Sequence, residues 1–354
     1  MEETLLGHRP RFAGGLQVVA ADTYAWVQPN GGWGESNAGL VVGGDAAALI
    51  DTLWDIRLTG RMLAAMRDRT SVPIETVVNT HSDGDHVWGN QLLAGAEFIA
   101  TRAAGHVIRE ETPDQMARFK ALAETLRRLA SLPFMRPLLS RFALGGLGGL
   151  GGYVSAMLAP YDFSGIFVTP PGREFDGELT VIVGGRELRL IEVGPAHTVG
   201  DLIVYVPDVR VCFAADVLFV GVAPVMWAGP TANWIAALER ILALDVDAVV
   251  PGHGPVSGRA EVEVLRDYFQ WLEVAARSAL GAGRSPLDTA RELLASREYR
   301  DAPWGSWDSP ERMVITLATI DRHRRGVTRG VGARARVDLF MQVAALAAEL
   351  KPTA

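Results

Sequence analysis

Residues 80–86 read Thr-His-Ser-Asp-Gly-Asp-His, so two histidines and two carboxylates lie within six positions. The chain has only seven histidines, and turn formation alone does not explain two of them beside two aspartates. The segment directly follows the apolar stretch 74–79, a predicted strand, and α/β folds bind ligands at the carboxyl ends of strands. It therefore predicts a metal site that includes His81, Asp83, Asp85 and His86.

Three later segments each place one candidate metal-binding side chain next to a predicted strand. His197 follows the stretch 187–191, and His253 lies in the sequence Pro-Gly-His-Gly-Pro after the stretch 248–250. Asp216 interrupts an apolar run at a predicted strand end, where a buried, unpaired carboxylate would need a partner such as a cation. Each signal alone is weak, because a lone histidine is more often structural. Together they favour one shared metal site.

The elements that must position these residues follow an α/β pattern. Residues 16–100 and 167–255 are each rich in short strands and contain helical segments, so the two stretches echo each other. Between them, residues from about 105 to 165 predict a helical insertion. The segment 114–132 predicts an amphipathic helix, and the sequence after 256 is mainly helical.

The insertion contains an uncharged stretch, residues 142–161, which is about as long as a membrane span. Its glycine-rich run at 145–152 is poor helix-forming material, since glycine costs about 1 kcal/mol per helical position relative to alanine. We expect neither a span nor contact with a membrane surface. A flexible or closely packed cover over a pocket is the favoured interpretation.

Composition and charge narrow the functional class. The 354 residues are 49% hydrophobic and 21% charged, which is typical of a globular chain and excludes disorder. The net charge of −7 argues against nucleic-acid binding, and the basic cluster 322–336 predicts a solvated surface. The single cysteine, Cys212, excludes an internal disulfide and predicts a buried side chain. Residues 1–4 begin acidic with no apolar run behind them, so we expect a cytoplasmic protein without a secretory signal.

In content and order these residues resemble the signature of the metallo-β-lactamase-fold superfamily, which is HxHxDH, a downstream His, a later Asp and a His in a GHG-like turn. The matching residues are His81, Asp85, His86, His197, Asp216 and His253, and the resemblance covers about residues 16–256. It implies an α/β four-layer αβ/βα sandwich of two similar halves, with two metal ions at the edge between them. We therefore predict one such domain over 1–256, including the insertion, and a helical C-terminal extension over 257–354 that packs on it.

The resemblance also implies a ligand set. One ion would take His81, residue 83 and His197, and the other would take Asp85, His86 and His253. Asp216 would bridge the two ions, and Asp85 would also orient the nucleophile as the catalytic residue. Asp51 and Thr80 would support the ligand loop from behind.

The chain departs from the family pattern at Asp83, where histidine is usual. Three carboxylates against two divalent ions leave one net positive charge instead of two. A carboxylate oxygen also suits harder metals than imidazole does, and redox members of the superfamily carry a carboxylate there and bind two irons. We expect two divalent ions, with Zn²⁺ favoured and iron or manganese left open. The change could equally cost one of the two metals.

The predicted function is metal-dependent hydrolysis of an ester, lactone, thioester or amide bond in a hydrophobic small molecule, with hydroxide held by the metals as the nucleophile. Trp88, Met226 and Trp227 are the candidate pocket residues, because they lie close to the metal-binding segments in sequence. The alternatives are a dinuclear non-haem iron oxidoreductase or oxygenase and a non-catalytic binding protein. The C-terminal helices either pack back on the sandwich or form a homodimer contact.

Overall fold

The computed structural model describes residues 3–132, 145–328, 331 and 333–351. These residues form two β-sheets flanked by helices. The first sheet contains β1 (Gly15–Ala20), β2 (Thr23–Val27), β3 (Ala38–Val42), β4 (Ala47–Ile50), β5 (Ile74–Val78), β6 (Glu97–Thr101) and β7 (Arg173–Phe175). The second sheet contains β8 (Glu178–Val183), β9 (Arg186–Glu192), β10 (Leu202–Val206), β11 (Val211–Phe219) and β12 (Ala248–His253).

Helices connect and cover the strands. In the first half and the insertion they are α1 (Ile56–Arg67), α2 (Gly84–Val87), α3 (Arg102–Glu110), α4 (Pro113–Ser131) and α5 (Gly145–Leu158). In the second half and the C-terminal region they are α6 (Thr231–Leu242), α7 (Arg259–Gly281), α8 (Pro286–Ala295), α9 (Arg297–Asp301), α10 (Met313–Arg324) and α11 (Ala333–Leu350).

Strand order and direction in the two sheets determine which loops can share one site. The first sheet runs in chain order and is antiparallel from β1 to β4 and parallel from β4 to β7. The second sheet has the order β12-β11-β10-β9-β8, and its β11–β12 pair is parallel. Because parallel strands end at the same edge of a sheet, the loops after β5 and β12 are available for one site.

The hydrophobic core fills the space between the two sheets and the space between the sheets and their helices. Alternate residues of β4 and β5, such as Ile50 and Val78, meet residues of the second sheet such as Leu188 and Phe213 in a cluster between the sheets. At Gly39 a Cβ atom would lie only 2.2 Å from the Phe213 ring, so the absent side chain permits this close contact. The other sheet faces pack on helices. The predicted four-layer sandwich is confirmed.

The insertion differs from its prediction in one respect. The glycine-rich run is helical, as α5, and this helix packs on α4. A Cβ atom on Gly151 would lie 3.1 Å from Leu126 Cβ, so glycine brings the two helices close enough for tertiary contacts to offset its poor propensity. Residues 142–144 lie outside the described residues. No helix in the described part of the chain is long and apolar enough to cross a membrane.

Two residue types stand where local preference alone would not place them. Phe167 and Val168 are types that favour strands, but neither lies in one, and Phe167 is exposed. Thr231 is a type that favours the N-cap, but it is the first residue of α6, and Pro230 holds the cap position. Cys212 is fully buried as predicted.

The C-terminal helices share the hydrophobic cluster of the preceding domain. On α7, Phe269 packs against Trp234 of α6 with ring centroids 4.5 Å apart. On α11, an apolar stripe is buried at Leu339, Val343 and Leu346. The stripe therefore packs within the chain, and a homodimer contact stays a prediction.

Candidate metal centre

Four separate chain segments deliver the predicted metal-binding side chains to one edge of the sandwich. The loop after β5 and the short helix α2 carry His81, Asp83, Asp85 and His86. His197 lies in the β9–β10 loop, and His253 is the last residue of β12. Asp216 lies within β11 and not at its end as predicted. There the β11–β12 register breaks and Ala215 has a φ of +46°, which bends the strand at the site.

These side chains form two compact groups. His81, Asp83 and His197 each offer a ligand atom, all within 4.8 Å of one another. Asp85, His86 and His253 form the second group on the same criterion. In the first group Asp83 Oδ2 lies 3.1 Å from His197 Nε2, so the aspartate occupies the place at which histidine was expected. Both predicted triplets are thus brought together.

Asp216 lies between the two groups and contacts both. Its Oδ1 atom is 3.1 Å from His86 Nε2, in the second group. Its Oδ2 atom is 3.2 Å from His253 Nε2 and 3.3 Å from His197 Nε2, which belong to different groups. A carboxylate in this position can bridge two cations.

Asp51 supports His81 and His86, which is the role that the sequence predicted for it. Its carboxylate accepts hydrogen bonds from the Thr80 amide at 2.8 Å and from the Thr80 hydroxyl at 2.6 Å. The same carboxylate lies 2.9 Å from His86 Nδ1. Thr80 Oγ1 in turn lies 3.0 Å from His81 Nδ1. Because the Nδ1 atoms are engaged, the Nε2 atoms of both histidines are left to face the centre.

Backbone carbonyls hold His197 and His253 in the same manner. His197 Nδ1 lies 2.6 Å from the Val225 carbonyl, and His253 Nδ1 lies 3.1 Å from the Glu35 carbonyl. Sequence analysis did not identify either partner, since a backbone carbonyl carries no residue-type signal. It also missed Asp201, whose carboxylate accepts hydrogen bonds from the Ala196 and Thr198 amides and closes the loop around His197. The available signal was an aspartate four residues after His197, because aspartate side chains often accept hydrogen bonds from the amides of a turn.

The donor atoms fit divalent cations. Within the described residues, His81 Nε2 is buried without a hydrogen-bond partner, and the buried atoms His86 Nε2 and Asp216 Oδ1, although 3.1 Å apart, form no hydrogen bond either. Leaving buried polar atoms unpaired costs about 1–3 kcal/mol each, so their common orientation requires compensation. Imidazole nitrogens and carboxylate oxygens in two adjoining groups are a donor set that divalent transition metals accept.

The charges at the site agree with that interpretation. Burial lowers the pKa of His81 well below its ordinary value, which keeps this imidazole neutral and able to donate its lone pair. Burial opposes ionisation of Asp216, but His253 and His86 outweigh it and hold its pKa well below the usual value. Burial also opposes protonation of His197, yet Asp216 and Asp83 raise its pKa to about 10. The carboxylates of the centre thus favour positive charge beside them, which a bound cation would supply in place of a proton.

A cleft that is partly open to solvent leads to the two groups. Trp88 and Trp227 line it, as predicted for the pocket. Met226 was also predicted for the pocket, but it is fully buried and is absent from the described residues that line the cleft. Its backbone is bonded on both sides to α10, through Thr316 and Thr319 hydroxyls, which holds it in the core.

The remaining apolar wall comes from distant elements: Trp33, Trp54, Met116, Phe119, Met157, Phe219, Val225 and Phe340. Three further charged side chains line the cleft and were not predicted, namely Glu111, Arg312 and Arg336. Burial and the negative charge of Asp83 raise the pKa of Glu111 to about 7. Nothing in the local sequence around these three residues marks them, because helix packing alone brings them to the cleft.

Comparison with known proteins agrees with the geometry. The profile of the Metallo-beta-lactamase superfamily matches residues 31–253. The chain is 35% identical over 143 residues to the 2,4-dinitroanisole O-demethylase subunit alpha of Nocardioides sp. (strain JS1661), a match covering 39% of this chain and 42% of that protein. It is 26% identical over 231 residues to the linear primary-alkylsulfatase of Pseudomonas sp. (strain ATCC 19151), covering 62% of this chain and 42% of that protein.

Among solved structures, the stereoselective inverting sec-alkylsulfatase Pisa1 from Pseudomonas sp. superposes with a TM-score of 0.61 at 17% identity. This match covers 92% of the chain and 52% of that protein, and at such low identity it concerns the fold alone. The chain spans about two fifths of the length of the curated relatives it matches. The profile match covers well over half of the chain and includes every residue of the two groups. The chain therefore belongs to the metallo-beta-lactamase superfamily.

Proposed function

We propose that the chain is a metal-dependent hydrolase that cleaves an ester-type bond of a hydrophobic small molecule. The observation that carries this proposal is the convergence of two ligand groups on Asp216, beside a cleft with a mainly aromatic and apolar wall. His81, Asp83 and His197 would hold one divalent ion, and Asp85, His86 and His253 the other. Membership of the superfamily supports the assignment, with Zn²⁺ as the expected metal.

Two divalent ions held there would supply a water nucleophile near neutral pH and stabilise the charge that develops on the acceptor oxygen. The chain's own residues prepare that chemistry. Asp85 lines the cleft, where its carboxylate can orient the attacking water. Asp51 fixes His86 and, through Thr80, His81. The aromatic wall provides an apolar surface against which the hydrophobic part of a substrate can pack.

The cleft indicates the hydrophobic part of the substrate more clearly than it indicates which bond is cleaved. Trp88 and Trp227 present flat apolar surfaces beside the ligand groups, which suits an aromatic or alkyl group. The two curated relatives are named for an alkyl sulfate and for a methyl ether of an aromatic ring. Carboxylic esters, lactones, thioesters, amides, alkyl sulfates and aryl methyl ethers are therefore all included in the proposed test.

The test begins with protein purified without added metal, whose metal content is measured by elemental analysis. A panel of hydrophobic substrates from the six bond classes is then assayed with the wild type and with Asp85→Asn. We expect about two ions per chain, turnover of at least one class, and loss of that turnover in Asp85→Asn. A protein that binds no metal, or that turns over no class when loaded with zinc, manganese or iron, would refute the hydrolase proposal.

A second candidate is a dinuclear non-haem iron oxidoreductase. Asp83 favours it, because its carboxylate lies 3.1 Å from His197 Nε2 where most superfamily members place imidazole, and oxygen ligands suit iron. Elemental analysis, visible absorption and an oxygen electrode separate the two candidates. Zinc alone with no oxygen consumption would exclude the redox candidate, whereas iron with substrate-dependent oxygen uptake would favour it.

A further inference from the structure

Helix α11 brings a positively charged side chain to the cleft. Arg336 lines the cleft, and its guanidinium carbon lies 5.1 Å from the centroid of the Trp227 ring. The helix is anchored beside the cleft by Phe340, whose ring lies 5.2 Å from Trp33 and 6.4 Å from Trp227. Arg336 is exposed, so it stands at the mouth of the cleft. The solvated surface predicted for the segment 322–336 therefore includes a residue of the cleft wall.

The two arginines that line the cleft differ in their burial and in their hydrogen bonding. Arg312 is buried, stacks 4.4 Å from the centroid of Trp33 and donates a hydrogen bond to the Gly32 carbonyl. The buried carboxylates of Glu35 and Glu311 both feel its charge. Arg312 is therefore held inside the protein, and its guanidinium is already engaged by the backbone.

Arg336 is held differently. In the described parts of the chain no carboxylate forms an ion pair with it, and its guanidinium lies against the face of the Trp227 ring. Asp83 and Glu111 lie in the same cleft and feel its charge, but neither forms an ion pair with it. A guanidinium stacked on an aromatic face keeps its N–H edge free, and that edge matches an oxyanion with two parallel hydrogen bonds.

We propose that Arg336 binds an anionic group of the substrate, so that the cleft takes a hydrophobic molecule bearing a carboxylate, sulfate or sulfonate. That the bound molecule is a substrate rests on the proposed function, but its binding to Arg336 does not depend on turnover. Trp227 holds the guanidinium in place, and the apolar wall receives the hydrophobic body. An arginine that only covers Trp227 would give no preference for charge, and this is the alternative that the experiment must exclude.

The experiment measures binding of two matched ligands to the metal-loaded full chain by titration calorimetry. Naphthalene-2-sulfonate is the anionic ligand, and 2-(methylsulfonyl)naphthalene is its neutral counterpart with the same ring. In Arg336→Gln we expect the Kd of the sulfonate to rise about 10-fold or more and the Kd of the sulfone to change less than about 3-fold. Arg336→Lys should recover part of the sulfonate affinity, because it keeps the charge but not the planar fork.

Two further variants control for general charge effects. Arg297→Gln makes the same change at a side chain that is 89% exposed on α9 and paired with Asp301, and it should leave both Kd values unchanged. At a pH well above 7, where Glu111 is ionised, Glu111→Gln removes a negative charge from the cleft itself and should tighten binding of the sulfonate while leaving the sulfone unaffected. Circular dichroism checks that each variant is folded.

The proposal is overturned if Arg336→Gln weakens both ligands equally, if it leaves sulfonate binding unchanged, or if Arg297→Gln has the same effect. Failure of the hydrolase proposal would leave these Kd values as they are, so the two outcomes can be distinguished. Once a substrate is known, Arg336→Gln should raise KM for its anionic form with little change in kcat.

Discussion

The ligand groups and the wall of the cleft are built by different physical means. At the ligand groups every histidine Nδ1 atom has a partner, as in the 2.9 Å contact between His86 and Asp51, and every Nε2 atom faces Asp216 or its neighbours. The wall is held by helix packing, and Phe340 and Arg336 reach it from α11, outside the residues 31–253 that match the superfamily. The difference shows that directional bonds orient the metal-binding side chains, whereas the packing of helices shapes the surface that a substrate would meet.

Replacing the shared carboxylate tests the first half of this comparison and should have the largest effect. Asp216→Asn removes the charge that contacts both ligand groups, and we expect kcat/KM to fall at least about 1,000-fold, together with loss of bound metal. Turnover assays and elemental analysis measure the two effects. Asp245→Asn, at a side chain that is 74% exposed, is the matched control and should behave as wild type. Full metal content and activity in Asp216→Asn would contradict the bridging role.

Glu35 lies where the two regions meet, behind His253 and beside Arg312, and it predicts a pH effect on stability. It is 6% exposed, and burial raises its pKa from 4.5 to about 7 against the opposing charges of Arg312 and His253. The folded protein thus binds this proton more tightly than the unfolded chain does. The stability gained from it is present below about pH 4.5 and is lost as the pH rises through 7.

Glu35→Gln should therefore gain stability relative to wild type between pH 4.5 and 7, by up to about 3 kcal/mol. Urea denaturation of both metal-free proteins at several pH values in this range measures the difference. Glu263→Gln, at an exposed position of α7, is the control and should run parallel to wild type. A constant difference between Glu35→Gln and wild type across the range would count against a buried, protonated Glu35.

Truncation of the wall should have the smallest effect and should leave the metals in place. Phe340→Ala removes a ring that packs between Trp33 and Trp227, and we expect KM for a hydrophobic substrate to rise about 10-fold with kcat within about 2-fold. Steady-state kinetics and metal analysis on the same preparation check this. Loss of metal, or a fall in kcat at constant KM, would mean that the wall of the cleft also determines metal binding or the chemical step.

Prediction from sequence succeeded where residue type and strand position coincide. His81, His197 and His253 are recognisable because each polar side chain follows an apolar strand, and strand ends converge at one edge of a sheet. It failed where contacts between distant elements decide. Met226 lies between two cleft residues in sequence yet is buried against α10, and the glycine-rich run forms a helix because α4 packs closely on it.

The sequence by itself determined the superfamily, the sandwich and the set of metal-binding side chains, since these depend on local patterns of apolar strands and polar loops. Only the tertiary structure decided which backbone carbonyls orient His197 and His253 and which helices enclose the cleft. The physical reason is range. A strand and the ligand behind it are neighbours in the chain, whereas Arg336 meets Trp227 only after more than a hundred intervening residues have packed.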